Sequence, residues 1–420
     1  MTERTRRCAL LLAGAMFLAR PAGAETLPEA LAAAWASNPE LAAARARQEA
    51  LAELPEQARA AGRPTAAAGG NAGYDRLGYG SAGSAAVSAN LPIWTGGRVS
   101  SAVRAASGDV AAGVERLRDA EAAVLQRVVF AYADLLFNQQ AVEVARVGID
   151  RLDRQLAEAR SRLSLGQATR TDVAQLEAQR ASVVANLADA EGALAATQAA
   201  YRAVVGRDAG TLSAEVAPSP LLPRTLADAR TGAEAANPLL LAQRRTTDAA
   251  AARIAQARSE GAPSIDIGGG YGRGVRELGG DWRGYASAAS IGASVRVPLL
   301  TGGFVASRVR QAEANWRAER FTGEATAREA VRGADAAWAA LAAAQARLTA
   351  GLDGLAAADV ALKGVRAEYG FGLRSTIDIL VADQSLRAAQ LDVARARADV
   401  LTAQAALLRV TGRMQPDAFR

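Results

Sequence analysis

Histidine is absent from the 420-residue chain, and cysteine occurs once, at Cys8. Without imidazole there is no histidine general base and no His-ligated metal, and no carboxylate cluster stands at metal-ligand spacing. Cys8 precedes the first apolar run, in a segment expected to be removed, so the remaining chain has no thiol, disulfide or thiolate metal site. Aromatic residues make up only 5% although 50% of the residues are apolar. Alanine supplies much of the apolar share, as in long, closely packed helices rather than a large globular core. No nucleophile, acid–base pair or metal set recurs in a pocket-like arrangement, so the chain reads as a non-enzyme without a cofactor. The segment GGGYGRG at 268–274 lacks the apolar helix and spaced acidic residue of a dinucleotide loop, and is expected to be a turn in a Gly-rich strand region.

What is present begins with a targeting segment. Arg4, Arg6 and Arg7 precede a short apolar run, Ala9 to Ala19, and Ala22-Gly23-Ala24 forms a small-residue cleavage site. The run is too short to span a bilayer, so residues 1–24 are expected to be a signal peptide and the mature chain to start near Glu25. Removing it leaves 45 basic against 42 acidic residues, a balance of +3. That balance does not call for nucleic acid; the arginines alternate with acids along helical stretches, as on a solvated coiled-coil face.

The chain is written twice. Pro92 aligns with Pro298, Gly166 with Gly372, Asp172 with Asp378 and Gly206 with Gly412, all 206 residues apart. Upstream, Thr26 matches Thr225, Asn38-Pro39 matches Asn237-Pro238 and Pro64 matches Pro263, all 199 apart. The seven-residue difference falls between Pro64 and Pro92, or Pro263 and Pro298, where a loop can absorb it. Two structural repeats, 25–220 and 221–420, of the same layout are therefore expected.

Periodicity supplies the elements. Val128, Leu135, Val142, Ile149, Leu156 and Leu163 form a seven-residue ladder, repeated by Ala334, Leu341, Leu348, Leu355, Leu362 and Tyr369. A third, Ile379, Leu386, Val393, Val400 and Leu407, follows the second glycine turn. These are coiled-coil seams. Each half should hold a helical hairpin closing at LGQATRTD or FGLRSTID, with one arm of roughly 65 residues, about 100 Å long. The returning helix from Thr171 to Val205, and one helix from Leu27 to about Ala60, are each about half that length.

Between the short and long helices lie the small-residue segments 65–93 and 264–300, whose weak alternation predicts two strands per half. Pro92, Gly96 and Gly97, with Pro298, Gly302 and Gly303, are expected at the strand-to-helix transitions. Weak alternation over about ten residues is what membrane barrels show, while a soluble hairpin cap is the other reading. Four strands cannot close a membrane barrel, so a barrel would require pooling strands among copies of the chain.

The signal peptide, the SNPEL opening, LPIWTGGR and VPLLTGGF, and the tips LGQATRTDV and YGFGLRSTIDIL resemble the TolC-like outer-membrane efflux protein family over essentially the whole mature chain. The resemblance implies a mainly α protein with membrane β structure: a homotrimer of tandem-duplicated helical hairpins forming an α-barrel continuous with a twelve-stranded β-barrel. It implies an exit duct in the outer membrane lipid, reaching across the periplasm of a Gram-negative cell. Its partners would be a periplasmic adaptor and an inner-membrane RND, ABC or MFS transporter, in tripartite efflux or type I secretion, without nucleic acid. It further implies that Tyr369 and Arg374 bond to Thr171 and Asp172 of the first hairpin and hold the tip shut, with Asp378 in an acidic ring. Val381 stands where many relatives carry a second acidic residue.

The residues themselves leave alternatives open. Asp172 and Asp378 each lie in the first turn after a Gly-containing loop, where a carboxylate caps a helix whether or not it gates. Leu165, Gly166, Phe371, Gly372 and Leu373 are candidate adaptor contacts, though glycine also serves simply to turn the hairpin. Trp94 suits a membrane interface or packing on its own hairpin, and Trp282 falls in the longer loop. A periplasmic or secreted coiled-coil binding module fits the heptads and signal but leaves the strand pairs unexplained.

Overall fold

The computed structural model describes residues 24–75, 80–214, 216–278 and 281–420. The expected signal peptide lies outside them, apart from Ala24. Three helices, α1 (Leu27–Ser37), α2 (Pro39–Ala52) and α3 (Leu54–Ala60), lead into the strands β1 (Thr65–Asp75) and β2 (Gly80–Trp94). The long helix α4 (Arg98–Ser164) and its return α5 (Arg170–Val205) complete the first half. The second half repeats this order as α6 (Leu226–Ala236), α7 (Pro238–Ser259), β3 (Ser264–Leu278), β4 (Asp281–Arg296), α8 (Phe304–Gly370) and α9 (Thr376–Val410).

Matching residues do matching work. Asn38 caps α2 and Asn237 caps α7, each before a proline that favours the first helical turn. Their side-chain amides donate to the last turns of the returning helices, Asn38 to the Val204 carbonyl at 2.8 Å and Asn237 to the Val410 carbonyl at 2.9 Å. Both long helices have 67 residues. Proline disfavours the α region for the residue before it, and Asn38 takes an extended ψ of 122°, so the expected single helix from Leu27 to Ala60 is broken there. It is interrupted again at Glu53, where Pro55 lies in the first turn of α3 and its ring nitrogen cannot donate.

The four strands form one antiparallel sheet in the order β1-β2-β3-β4, leaving β1 and β4 as its edges. GGGYGRG lies in β3, paired on both sides, rather than in a turn. Its glycines accommodate the close approach of neighbouring backbone: a Cβ on Gly270 would stand 3.2 Å from the Val87 carbonyl oxygen. Trp282 belongs to β4, opposite Glu277, and not to a loop. Pro92 sits within β2 rather than at its end, beside a register shift between Pro92 and Trp94 that accommodates the missing donor. Pro298 does lie past its strand, which stops at Arg296.

Below the sheet, α4 is the central post. It packs on α5, on α1 to α3, and on α7 and α9 of the other half. The largest core gathers Leu31, Val128, Tyr132, Tyr201, Leu408 and Phe419 at the waist, with the predicted seam residues Val128 and Leu135 fully buried. The Tyr132 hydroxyl lies 2.8 Å from the Ser213 carbonyl and 3.0 Å from that of Glu25, fastening the first described residues to the chain beyond α5. Burial pushes the Tyr132 phenol up to about 12, so it stays a neutral donor.

Gly412, with φ +68°, ends α9 where a Cβ would overlap the Ala236 carbonyl oxygen, whereas Gly354 in mid-α8 has open space. Gly412→Ala should therefore lower stability by roughly 1–3 kcal/mol, read as a fall in apparent unfolding temperature, while Gly354→Ala leaves it level or higher.

Candidate functional site: the hairpin tips

Both tips are built by the same local chemistry. Helix α4 ends at Ser164, and Gly166 takes φ +72° so that its N–H reaches the Leu163 carbonyl at 3.0 Å and Gln167 N–H the Arg162 carbonyl at 2.8 Å. Helix α8 closes likewise: Gly372 takes φ +74°, its N–H bonds Tyr369 at 3.0 Å, and Leu373 N–H bonds Glu368 at 3.0 Å. This pattern satisfies the last carbonyls of each long helix and reverses the chain in a few residues. It also turns apolar side chains outward: Phe371 is 84%, Leu373 74% and Leu165 69% exposed.

The returning helices start with reciprocal caps. Asp172 Oδ2 accepts from Thr169 N–H at 2.9 Å and from its hydroxyl at 2.7 Å, while Asp172 N–H donates to Thr169 Oγ1. Asp378 Oδ2 accepts from Ser375 N–H at 2.9 Å and its hydroxyl at 2.8 Å. These bonds, the Ser375 amide first, hold the Asp378 carboxyl below its ordinary range. Asp172 is lowered by the Thr169 amide, then the Thr169 hydroxyl, with a smaller share from the Thr376 hydroxyl of the other hairpin. Thr376 itself is buried at the start of α9.

The remaining candidates divide. Tyr369 reaches the first hairpin through α4, where the Arg162 guanidinium lies 4.7 Å from its ring centre. Arg374 stays on its own hairpin, donating to Glu368 at 2.6 Å, and Thr171 is exposed. Val381 is exposed as well. At the other end, Gly96 and Gly97 take φ of +60° and +85°, and Gly302 and Gly303 +56° and +81°, each pair bending strand into long helix. A Cβ on Gly96 would clash with Ala262 and Pro263 of the second half, while Gly302 has nothing against it.

One charged cluster went unread in the sequence. Asp383 of α9 is fully buried and accepts from Arg387 Nε at 2.9 Å, with Arg151 of α4 and Arg366 of α8 at 3.7 and 3.9 Å. The i,i+4 spacing of Asp383 and Arg387 is its one local signature. Among the described residues, no group of three potential ligands that could hold a metal occurs.

Comparison with known proteins places this geometry. The outer membrane efflux protein family matches residues 30–207 and again 231–413. The chain is 32% identical to the outer membrane efflux protein BepC of Brucella suis over 97% of its own length and 90% of that protein's. It is 25% identical to the alkaline protease secretion protein AprF of Pseudomonas aeruginosa over 70% of this chain and 62% of that one. The open-state crystal structure of the Neisseria gonorrhoeae MtrE outer membrane channel superposes with a TM-score of 0.78 at 22% identity, covering 93% of this chain and 90% of that one.

Both cap carboxyls have depressed folded-state pKa values, so their contribution is complete above the ordinary carboxylate value of about 4 and is lost as pH falls through the lower folded value. Hydrogen exchange in the first turns of α5 and α9, corrected for intrinsic rates, should quicken below that pH. Asp172→Asn and Asp378→Asn should remove this dependence, each in its own helix.

Proposed function

Since the chain belongs to the outer membrane efflux protein family, we propose that three copies of it build one export duct, a twelve-stranded β-barrel continuous with a helical tube. It is an outer-membrane channel protein, and its work is passage rather than turnover. The observation that carries the assembly is the four-stranded sheet with two unpaired edges, since such edges cannot face lipid. Joining β4 of one copy to β1 of the next removes every edge.

The twofold layout supports the same closure below the membrane. Helix α4 is flanked on both sides and buries nineteen residues; α8, of equal length, buries six in the isolated chain. The contact of α4 with α7 joins the two halves. Its repeat equivalent is α8 against α2 and α3 of the next copy, just as the open space at Gly302 corresponds to the packed site at Gly96. The repeats are 25–220 and 221–420, after a signal peptide of residues 1–24. Exposed apolar residues on the barrel strands, Val87, Tyr271 and Ile291 among them, suit contact with lipid.

The tips are the periplasmic end. Tyr369 with Arg162, and Thr376 with Asp172, tie one hairpin to the other in the closed packing; Arg374 and Thr171 join the latch across neighbouring copies. Asp378 from three copies faces the axis. Leu165, Gly166, Phe371, Gly372 and Leu373 meet an adaptor that binds the open packing better and so shifts the equilibrium. The adaptor links the duct to an energised inner-membrane transporter of the RND, ABC or MFS type. BepC is named for efflux and AprF for protease secretion, so the family scaffold serves both, and the transporter selects the cargo.

The detergent-extracted protein should have the native mass of three chains beginning near Glu25; a water-soluble monomer would favour the coiled-coil binding module instead. Because Phe would keep the ring beneath Arg162, the latch is tested with Tyr369→Ala and Arg374→Ser together. Their single-channel conductance should rise several-fold over wild type, and an unchanged value would remove both residues from the latch.

A further inference from the structure

Just above the tips, α4 and α8 enclose a cleft of about 400 Å³ against the start of α9. Arg151, Arg154 and Arg162 line it from one side and Arg366 from the other, with Glu158 the acidic residue among its lining. Glu158 is already engaged by Arg162 at 2.7 Å, and Asp383, behind the cleft, is bonded by Arg387. Five arginines therefore share two carboxylates. Arg154 donates to the Asp150 carbonyl at 3.2 Å, which leaves its charge uncompensated by that bond.

Arg154 and Arg366 are exposed, and the cost of the imbalance falls on the groups deeper in the wall. Arg151 Nη1, Arg387 Nη2 and both amide atoms of Gln155 are buried without a hydrogen-bond partner, as is Asp383 Oδ1, which lies between Arg151 and Arg366. Gln155 and Arg151 belong to the cleft wall itself. Guanidinium and amide donors left unpaired in a partly dry site cost free energy that a counter-charge with several acceptor oxygens would recover. Guanidinium forks suit such a group by planar, two-point hydrogen bonding.

We propose that this cleft is a binding site for a small oxyanion, of the sulfate, phosphate or carboxylate class. Arg151, Arg154 and Arg366 supply charge and Gln155 a neutral donor. The bound anion bridges α4 to α8 and so adds a tie between the two hairpins beside Tyr369. The site is made by one chain's own side chains and stands whether or not the duct reading holds.

Sulfate is the probe, titrated calorimetrically into the full mature protein in detergent, with ionic strength kept constant by exchange against chloride. Saturable binding of one sulfate per chain is expected. Arg151→Gln and Arg366→Gln should each weaken it by roughly tenfold, as for loss of one charge-assisted bond. Arg308→Gln, in the separate cleft between α7 and α8, should leave it unchanged. The wild-type titration needs no variant to fold, and absence of saturation there would overturn the proposal. So would binding that persists in both cleft variants, or that falls equally in Arg308→Gln.

Discussion

A peptide group in hydrocarbon has no water to bond, and this constraint reaches through the whole molecule. Four antiparallel strands leave one row of N–H and C=O groups open on β1 and another on β4. Each row has the polarity the other requires, so copies of one chain can complete one another in a ring. Everything below must share that rotation, because the Gly-Gly bends fix the long helices to the strand ends. The helices are thereby committed to a cylinder before any of their own contacts are counted.

The low aromatic content then takes on meaning. A wall one helix thick has no deep interior, and large rings would find few places to hide. Alanine at buried seam positions such as Ala334, Ala337 and Ala344 lets axes lie close without bulky interdigitation. Bulk is concentrated where layers meet, around Tyr132 and Tyr201, and the short helices α1 and α6 thicken the wall at this level. The hairpin arms below it are slim, held by seams and paired charges. Slender arms capped by tight turns can shift as units, whereas the waist resists.

What was legible in the sequence was whatever local chemistry repeats. The 206-residue offset, the seams, the strand pairs and the glycine turns all depend on neighbours within a few residues, and they appear where expected. The second interruption, at Leu54-Pro55, has no counterpart in α7, so reasoning from the repeat concealed it. Pro92 and Pro298 hold equivalent places in sequence but differ in structure: Pro92 lies opposite Asp266 of β3, while β4 has no strand of its own chain on its outer side. The Asp383 cluster was invisible because Arg151 lies more than two hundred residues away and heptad spacing alone marks position 383 as ordinary. For the same reason the tip residues divide: caps such as Asp172 and Asp378 are local, while a latch depends on which helix lies opposite.

The waist also joins distant parts of the chain. Glu25 exchanges backbone hydrogen bonds with Thr211 and Ser213, Tyr201 and Arg207 hold its carboxylate, and the Ser219 hydroxyl bonds Ala418 beside Phe419. Segments far apart in the chain, around Leu27, Leu212 and Phe419, are thus packed into one cluster. This level is finished only when segments 199 residues apart, such as Ser219 and Ala418, have met, and closing such distant contacts is slow. Until those segments dock, the apolar surfaces of Leu31, Tyr132 and Phe419 stay open to water, the kind of exposure that invites aggregation before a ring can form.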